Sequence, residues 1–533
     1  MNENLYPNSD LSPVSPIQEK IQTYHLEEPV YAEKVLADFK GIGFLSIAYG
    51  LFYCFCLYQN GHGITSPLWV IATIAYYVFA MKRLEIPFVK STLFYAVSAV
   101  ILGISNCLTD SAPLHFFNYT AILLLMFLVL MKHFYVMPDC NIGQYLLGLI
   151  CTTFGSIGCL DGLFKSFFRF RKTNKEESNP LVRNILLGMC ISVPLLFVVV
   201  LLLTCADAVF CELIFDSFLS KIVVPKNLAG IVFMILFGTF ACHSILLYLA
   251  RQQFKTDTKN VKTGEPVIAI TFCLMLTIVY LLFCFIQVKY LFFGLGESSL
   301  PEGYTFASYA RQGFFQLLFV CIINLCLVLF CLGHYKENKL LKGILTVISL
   351  CTFIMIASSA YRMILYINAY QLTFLRVIVL WALAVIFLLM CGVIVYTYQP
   401  TFPLFTYGVG IVTCFYIVLS LSRPDTYIAD FNLTQIKQNK DVYLDTEYLY
   451  NLSLDAAPIL AAHGFLDTDS IRNLDETIYT SDDVYEYYYE DDSPSDLILR
   501  RAADYKENIK NTYKEMTARS FNFSTYRAYQ SLD

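Results

Sequence analysis

From residue 42 onward the chain alternates between long apolar runs and short polar breaks. About 18–20 apolar residues suffice to cross roughly 30 Å of hydrocarbon at 1.5 Å per residue. Such runs occur at about 42–59, 64–81, 88–106, 112–131, 184–205, 229–250, 266–288, 313–333, 343–361, 373–397 and 402–421. A further apolar stretch, 143–164, is interrupted by Gly148, Gly155, Gly158 and Asp161. Residues 1–18 read as disordered, and 19–40 as an amphipathic helix with Ile21, Tyr24, Val30, Val35 and Phe39 set among charges. After 422 the pattern changes. Short helices are expected over 441–466, with Tyr443, Tyr448, Leu449, Leu452 and Ile459 at helical spacing, and a helical tail over 497–515. The predicted fold class is all-α: a polytopic transmembrane helical bundle of about eleven spans (42–422). A leader (1–41) precedes it, and a small, mostly helical, soluble region (423–533) follows.

Composition agrees with the pattern. The 533 residues are 57% apolar and only 15% charged, with a mean hydropathy of +0.57. Ordinary soluble domains carry about 25% charged residues, so the apolar excess faces lipid. The formal net charge of −5 hides an asymmetry, since residues 423–533 alone hold 21 Asp and Glu against 11 Lys and Arg. That acidity excludes nucleic acid as a partner, because phosphate binding needs a basic footprint. The 18 cysteines lie almost entirely in apolar runs and none follows Cys414. There they act as small hydrophobes, with no spacing that calls for a metal or a disulfide. No cleavable signal peptide is evident, so the first span is expected to insert as its own anchor.

Charge also sets the expected orientation, because cytoplasmic loops are enriched in Lys and Arg. The basic breaks are Lys82/Arg83/Lys90, 165–183, 251–262 and 336–342, whereas the turns at 59–63 and 106–113 hold neither residue type. Keeping every basic break inside requires that 143–164 make no net crossing, as an interfacial or re-entrant segment. The expectation is a multi-pass cell-membrane protein with a cytoplasmic N-terminus and an extracytoplasmic C-terminal region.

Soluble-enzyme motifs are missing: there is no phosphate-binding G-x-x-x-x-G-K-[ST], no H-E-x-x-H and no G-x-S-x-G. No cofactor is implied. His243, alone within an apolar run, reads as a packing residue, and the N-x-[ST] triplets at Asn118, Asn432, Asn451 and Asn522 read as chance. Ionisable residues at span ends carry more information, since charge is costly in lipid. Asp207, Lys289, Arg311, Arg362 and Arg376 fall at extracytoplasmic ends, the four cations against the charge bias. Tyr366 lies four residues from Arg362, on the same helical face. These cations require acidic partners, an anionic ligand such as a lipid phosphate, or simple anchoring at the membrane surface. Asp425, Asp445 and Asp455 are candidate acids, readable equally as helix caps.

Several segments resemble one family of uncharacterised bacterial multi-spanning proteins, that of domain of unknown function 4173. They are 309–317 (YARQGFFQL), 361–366 (YRMILY), 371–376 (QLTFLR), 424–432 (PDTYIADFN), 445–449 (DTEYL), 452–458 (LSLDAAP) and 520–524 (SFNFS). The N-terminal half agrees only in hydropathy. Gln371 departs from the pattern, which would have Gly before Leu372-Thr373. The resemblance implies no activity, but it groups Arg311, Arg362, Tyr366 and Arg376 with Asp425, Asn432, Asp445 and Asp455 as one ligand-binding or docking cluster.

Three function classes follow. A structural or sensory envelope protein would display its acidic C-terminal region to an extracytoplasmic protein. A transporter or flippase of a small or lipid-linked anion would use the intramembrane cations, although no inverted repeat is evident. A membrane-embedded transferase would converge carboxylates over a lipid-accessible groove.

Overall fold

The computed structural model describes residues 30–134, 142–173, 228–252, 262–289, 313–438, 445–472 and 494–532, with isolated positions between 188 and 207. Among them all regular structure is helical, apart from one isolated bridge between Gly264 and Tyr335. The bundle contains α1 (Val30–Ala37), α2 (Phe39–Leu57), α3 (Thr65–Arg83), α4 (Leu93–Leu108) and α5 (Ala112–Phe134). It continues with α6 (Ile142–Ile157), α7 (Gly162–Thr173), α8 (Leu228–Arg251) and α9 (Pro266–Gln287). Its last members are α10 (Phe314–His334), α11 (Lys339–Tyr370), α12 (Phe374–Tyr398) and α13 (Leu404–Ser422).

Nine of these helices are long and apolar enough to cross a membrane: α2, α4, α5 and α8–α13. They coincide with nine of the eleven expected runs. Of the other two, 64–81 forms α3, whose 19 residues include buried Trp69, Tyr76 and Tyr77. The run 184–205 lies outside the continuously described residues, as do the leader 1–18 and residues 473–493 of the acidic C-terminal region. The protein is an integral, multi-pass membrane protein. Its outer faces fit that solvent: α9 exposes Ile278, Leu281, Leu282 and Phe285 where a soluble helix would present charge.

Two packing groups share α13 as their seam. In the first, α2 lies against α8 so closely that a Cβ at Gly50 would meet the Ile235 carbonyl at 2.6 Å, besides the Thr239 side chain. Ile122, Leu125 and Val129 of α5 pack with Ala99 and Leu102 of α4 and, across the seam, Val409 and Tyr416 of α13. In the second, α9–α12 bury Cys321, Met355, Met363, Leu383 and Met390.

The two ends of the bundle differ. One is basic and carries half-exposed ion pairs, among them Lys34–Glu85, Arg169–Glu33 (2.7 Å) and Lys342–Glu337 (2.8 Å). The pair α6 and α7 is bent by 52°, and its contacts gather at this end. Tyr145 stacks on Phe405 (4.1 Å), Gly155 abuts Tyr248, and Arg251 reaches the Cys159 thiol (3.3 Å). The opposite end gathers the turns at 58–64, 109–111 and 371–373, and the remaining helices lie against it. These are α14 (Pro424–Gln438), α15 (Thr446–Tyr450), α16 (Ala457–Ala462), α17 (Thr468–Arg472), α18 (Pro494–Glu515) and α19 (Phe523–Gln530). They bury a core of their own around Ile428, Leu433, Leu449, Leu460, Ile498 and Ile509, with Leu372, Phe374 and Val377 of the bundle packed against it.

The turn from α11 to α12 explains the departure at Gln371. Its φ is +68° and its ψ 177°, a conformation essentially reserved for glycine. The Gln371→Gly variant should therefore gain about 1 kcal/mol of stability, the relieved strain exceeding the added entropy of the unfolded chain. Gln371→Ala should gain nothing. Thermal melting of the purified protein in detergent distinguishes the two.

Candidate functional site

The polar residues near the turn-rich end fall into two groups, both built where the C-terminal helices meet the bundle. The first surrounds the turn between α11 and α12. Asn432, on α14 and 1% exposed, clamps the backbone of Leu372: its Oδ1 accepts from Leu372 N (2.8 Å) and its Nδ2 donates to Leu372 O (3.0 Å). The first amide of α12, Phe374 N–H, donates to the Tyr448 hydroxyl (2.8 Å). Asp445 caps α15 by accepting from Tyr448 N (2.9 Å), which holds that tyrosine in place. Arg376 donates through Nη1 to the carbonyls of Tyr370 (2.5 Å) and Gln371 at the end of α11, and its guanidinium lies 4.3 Å above the Tyr366 ring. Arg362 is buried one turn deeper, with Nη2 on Gln287 Oε1 (3.1 Å). Gly313, at φ +112°, lies over that guanidinium, and a Cβ there would come within 2.9 Å of Nη1.

The second group is the seam over the turn between α4 and α5. Asp455, buried in the short 3-10 turn Leu454–Ala456, accepts from the hydroxyls of Thr109 and Ser524 and from Asp110 N (3.2 Å). Asp425 accepts from Ser453 Oγ (2.6 Å) next door. Asn522 caps α19 through Ser524 N (2.8 Å), while its Nδ2 donates to the carbonyls of His62 (3.0 Å), Asn106 (3.3 Å) and Thr109 (2.9 Å). Beneath it, Asn118 Oδ1 accepts from the Tyr416 and Ser420 hydroxyls (2.7 Å each), and Asn118 Nδ2 donates to Asn106 (2.8 Å).

The expected cluster is thus split. Tyr366, Arg376, Asn432 and Asp445 share the α11–α12 turn, Asp425 and Asp455 share the seam, and Arg362 stands apart with Gln287. Arg311 lies outside the described residues, and Asp207 is an exposed position whose neighbours do also. Sequence reasoning did not single out Asp110 or Gln287, and it dismissed Asn118 and Asn522 as chance triplets. Both asparagines are buried structural donors, 0% and 4% exposed. The available signal was Asp110 itself, the sole charge in a turn otherwise bare of it. Among the described residues no group of three or more His, Cys, Asp or Glu is placed to hold a metal ion.

The family model of a Domain of unknown function (DUF4153) matches residues 96–463. The chain belongs to that family. The resemblance to family 4173 is corrected in its number, while membership of an uncharacterised family stands. The correction extends to the N-terminal half, since the DUF4153 match begins within α4. No curated protein and no solved structure matches the chain. The DUF4153 segment takes in Asp110, Asn432 and Asp455 but ends before Asn522 and Ser524, so these two seam residues come from outside it.

Two consequences can be measured. In Asn432→Ala, the Leu372 amide and carbonyl both lose their partners, at a cost of about 2–4 kcal/mol. Melting temperature should fall, and the turn should become cleavable by added protease. The second concerns pH. Burial, then the neighbouring Asp455 and Asp425, push the Asp110 carboxyl up to about 7 against an opposing bond from Leu454, and burial likewise raises Asp455. A carboxyl raised in the folded state favours folding while protonated, so its contribution is complete below the unfolded value of about 4. It is lost as pH rises through about 7. Hydrogen-exchange protection of α19 should weaken across that window, and Asp110→Asn should flatten the profile.

Proposed function

We propose that the protein is a structural or sensory component of the cell envelope. In this reading an eleven-span bundle, its N-terminus in the cytoplasm, holds residues 423–533 as a soluble domain on the extracytoplasmic side. The observation that carries it is the use made of the polar residues. Asn432, Tyr448, Asp455 and Asn522 are spent on joining the C-terminal helices to three turns of the bundle. A transferase would instead aim its carboxylates at a lipid-accessible groove, whereas Asp455 is 3% exposed and engaged by three donors.

Charge supports this side and chain direction this count. The C-terminal helices dock on turns that hold no Lys or Arg, opposite the end with Lys82, Arg83, Arg251, Lys336 and Lys342. Lysine and arginine favour the cytoplasmic side. Chain direction supports the count of eleven. α7 is at the basic end, where Arg169 meets Glu33, and α8 starts at the other, where Gly230 faces Tyr58. This reading adds the expected span at 184–205, which lies outside the continuously described residues. With α2–α5 and α8–α13, that makes eleven. The exposed surface of the acidic C-terminal region would then meet a protein partner outside the membrane.

The test is sidedness. A reporter that works only after export, fused behind Asp533, should be active, while one that works only in the cytoplasm should be silent. The reverse pattern overturns both the orientation and the count.

A further inference from the structure

At the turn between α11 and α12, a half-open cleft of about 290 Å³ is lined by Phe314, Phe315, Met363, Tyr366, Thr373, Leu375 and Arg376. Its walls divide by chemistry. Phe314 and Phe315 (ring centroids 4.2 Å apart), Met363 and Leu375 make an apolar side. Leu375 is 57% exposed at the mouth. The polar side is Arg376, at the start of α12. Its guanidinium is held by the Tyr366 ring below and by two backbone carbonyls through Nη1 alone. Among the described residues no carboxylate pairs with it; the acids of the C-terminal helices are engaged elsewhere, Asp425 with Ser453 and Asp445 with its own helix. Two N-terminal amides of α12 belong to residues that line the cleft. Phe374 N–H is taken by Tyr448 and Val377 N–H by Thr373 O, but neither Leu375 nor Arg376 has a backbone acceptor within its own helix or turn. A fixed guanidinium beside free helix-start amides is a site for a tetrahedral anion. Three aromatic rings and a leucine beside it suit an amphiphile.

We infer that this cleft binds a phosphate group, the apolar wall favouring the phosphate of a membrane lipid over free phosphate. Arg376 and the amides of Leu375 and Arg376 hold the anion, and Phe314, Phe315 and Leu375 pack the first carbons of the lipid. The site does not depend on which side of the membrane the C-terminal region occupies, so it stands or falls separately from the proposed orientation.

The experiment measures binding to the full-length purified protein, by thermal shift and native mass spectrometry. Its arms are phosphatidylglycerol in mixed micelles, phosphatidylcholine as the zwitterionic control, and inorganic phosphate. Phosphatidylglycerol should bind at least tenfold more tightly than phosphatidylcholine, and Arg376→Gln should abolish that preference. Because Arg376 also caps α11, a second variant separates binding from folding. Leu375→Glu keeps every bond of Arg376 and puts an acid at a helix start, where it favours the fold, yet it repels an anion from the mouth. It should melt no lower than the parent and lose the preference. Binding of inorganic phosphate that both variants abolish, with no preference between lipids, would confirm the anion site and name its source as soluble. Binding of neither, or a lipid preference that survives both substitutions, overturns the inference.

Discussion

A helix that leaves the hydrocarbon and turns back strands the N–H and C=O groups of its last and first turns, and each must find a partner. At the turn-rich end of this bundle those partners come from the C-terminal helices. Asn522 serves three carbonyls of the turns at 58–64 and 106–109, Ile64 N–H meets Phe521 O (3.0 Å), and Arg519 reaches Tyr58 O (2.9 Å). Asn432 and Tyr448 do the same for the turn at 371–374. The position of α14–α19, the burial of Asp455 and the strained backbone at Gln371 are all consequences of closing that end.

The two ends therefore rest on different physics. The basic end is held by ion pairs such as Lys34–Glu85 and Lys336–Glu265, whose side chains are mostly 40% exposed or more. Water and salt screen such pairs, and each contributes little. The other end is held largely by amides and hydroxyls with little access to water, and its buried carboxylates, Asp425 and Asp455, are held by hydroxyls and backbone amides. Its bonds are strong because they are dry, and for the same reason a single missing partner is costly.

Much of the bundle is legible because a span announces itself through length and composition alone. Eight runs reappear as helices within a few residues, a ninth, 343–361, is the core of the longer α11, and even α3, diluted by Tyr and Thr, was visible as a run. Capping was readable too, since Asp445 is followed by a short periodic segment. The seam was not. Its bonds join Thr109 to Asp455 and Asn522 to Thr109 across 346 and 413 residues, and no local period encodes a partner that far away. Asparagine was the hardest to judge. In Asn118-Tyr119-Thr120 and Asn522-Phe523-Ser524 the triplet is incidental, and what matters is an amide with two donors and an acceptor facing several polar groups at once. Gln371 was the opposite case. A residue out of place in a pattern pointed to an unusual backbone angle, because only glycine occupies that region without strain.

The separation between Asn60 and Arg519, 459 residues, bears on how the molecule is made. During synthesis the turn at 58–64 is in place long before residues 519–530 leave the ribosome. For most of translation its carbonyls are open to water or to whatever the insertion machinery offers. The bundle end is therefore assembled in reverse, an early turn completed by a much later helix. Until then the chain is an inserted but uncapped intermediate, and a surveillance protease could recognise it by those same open turns.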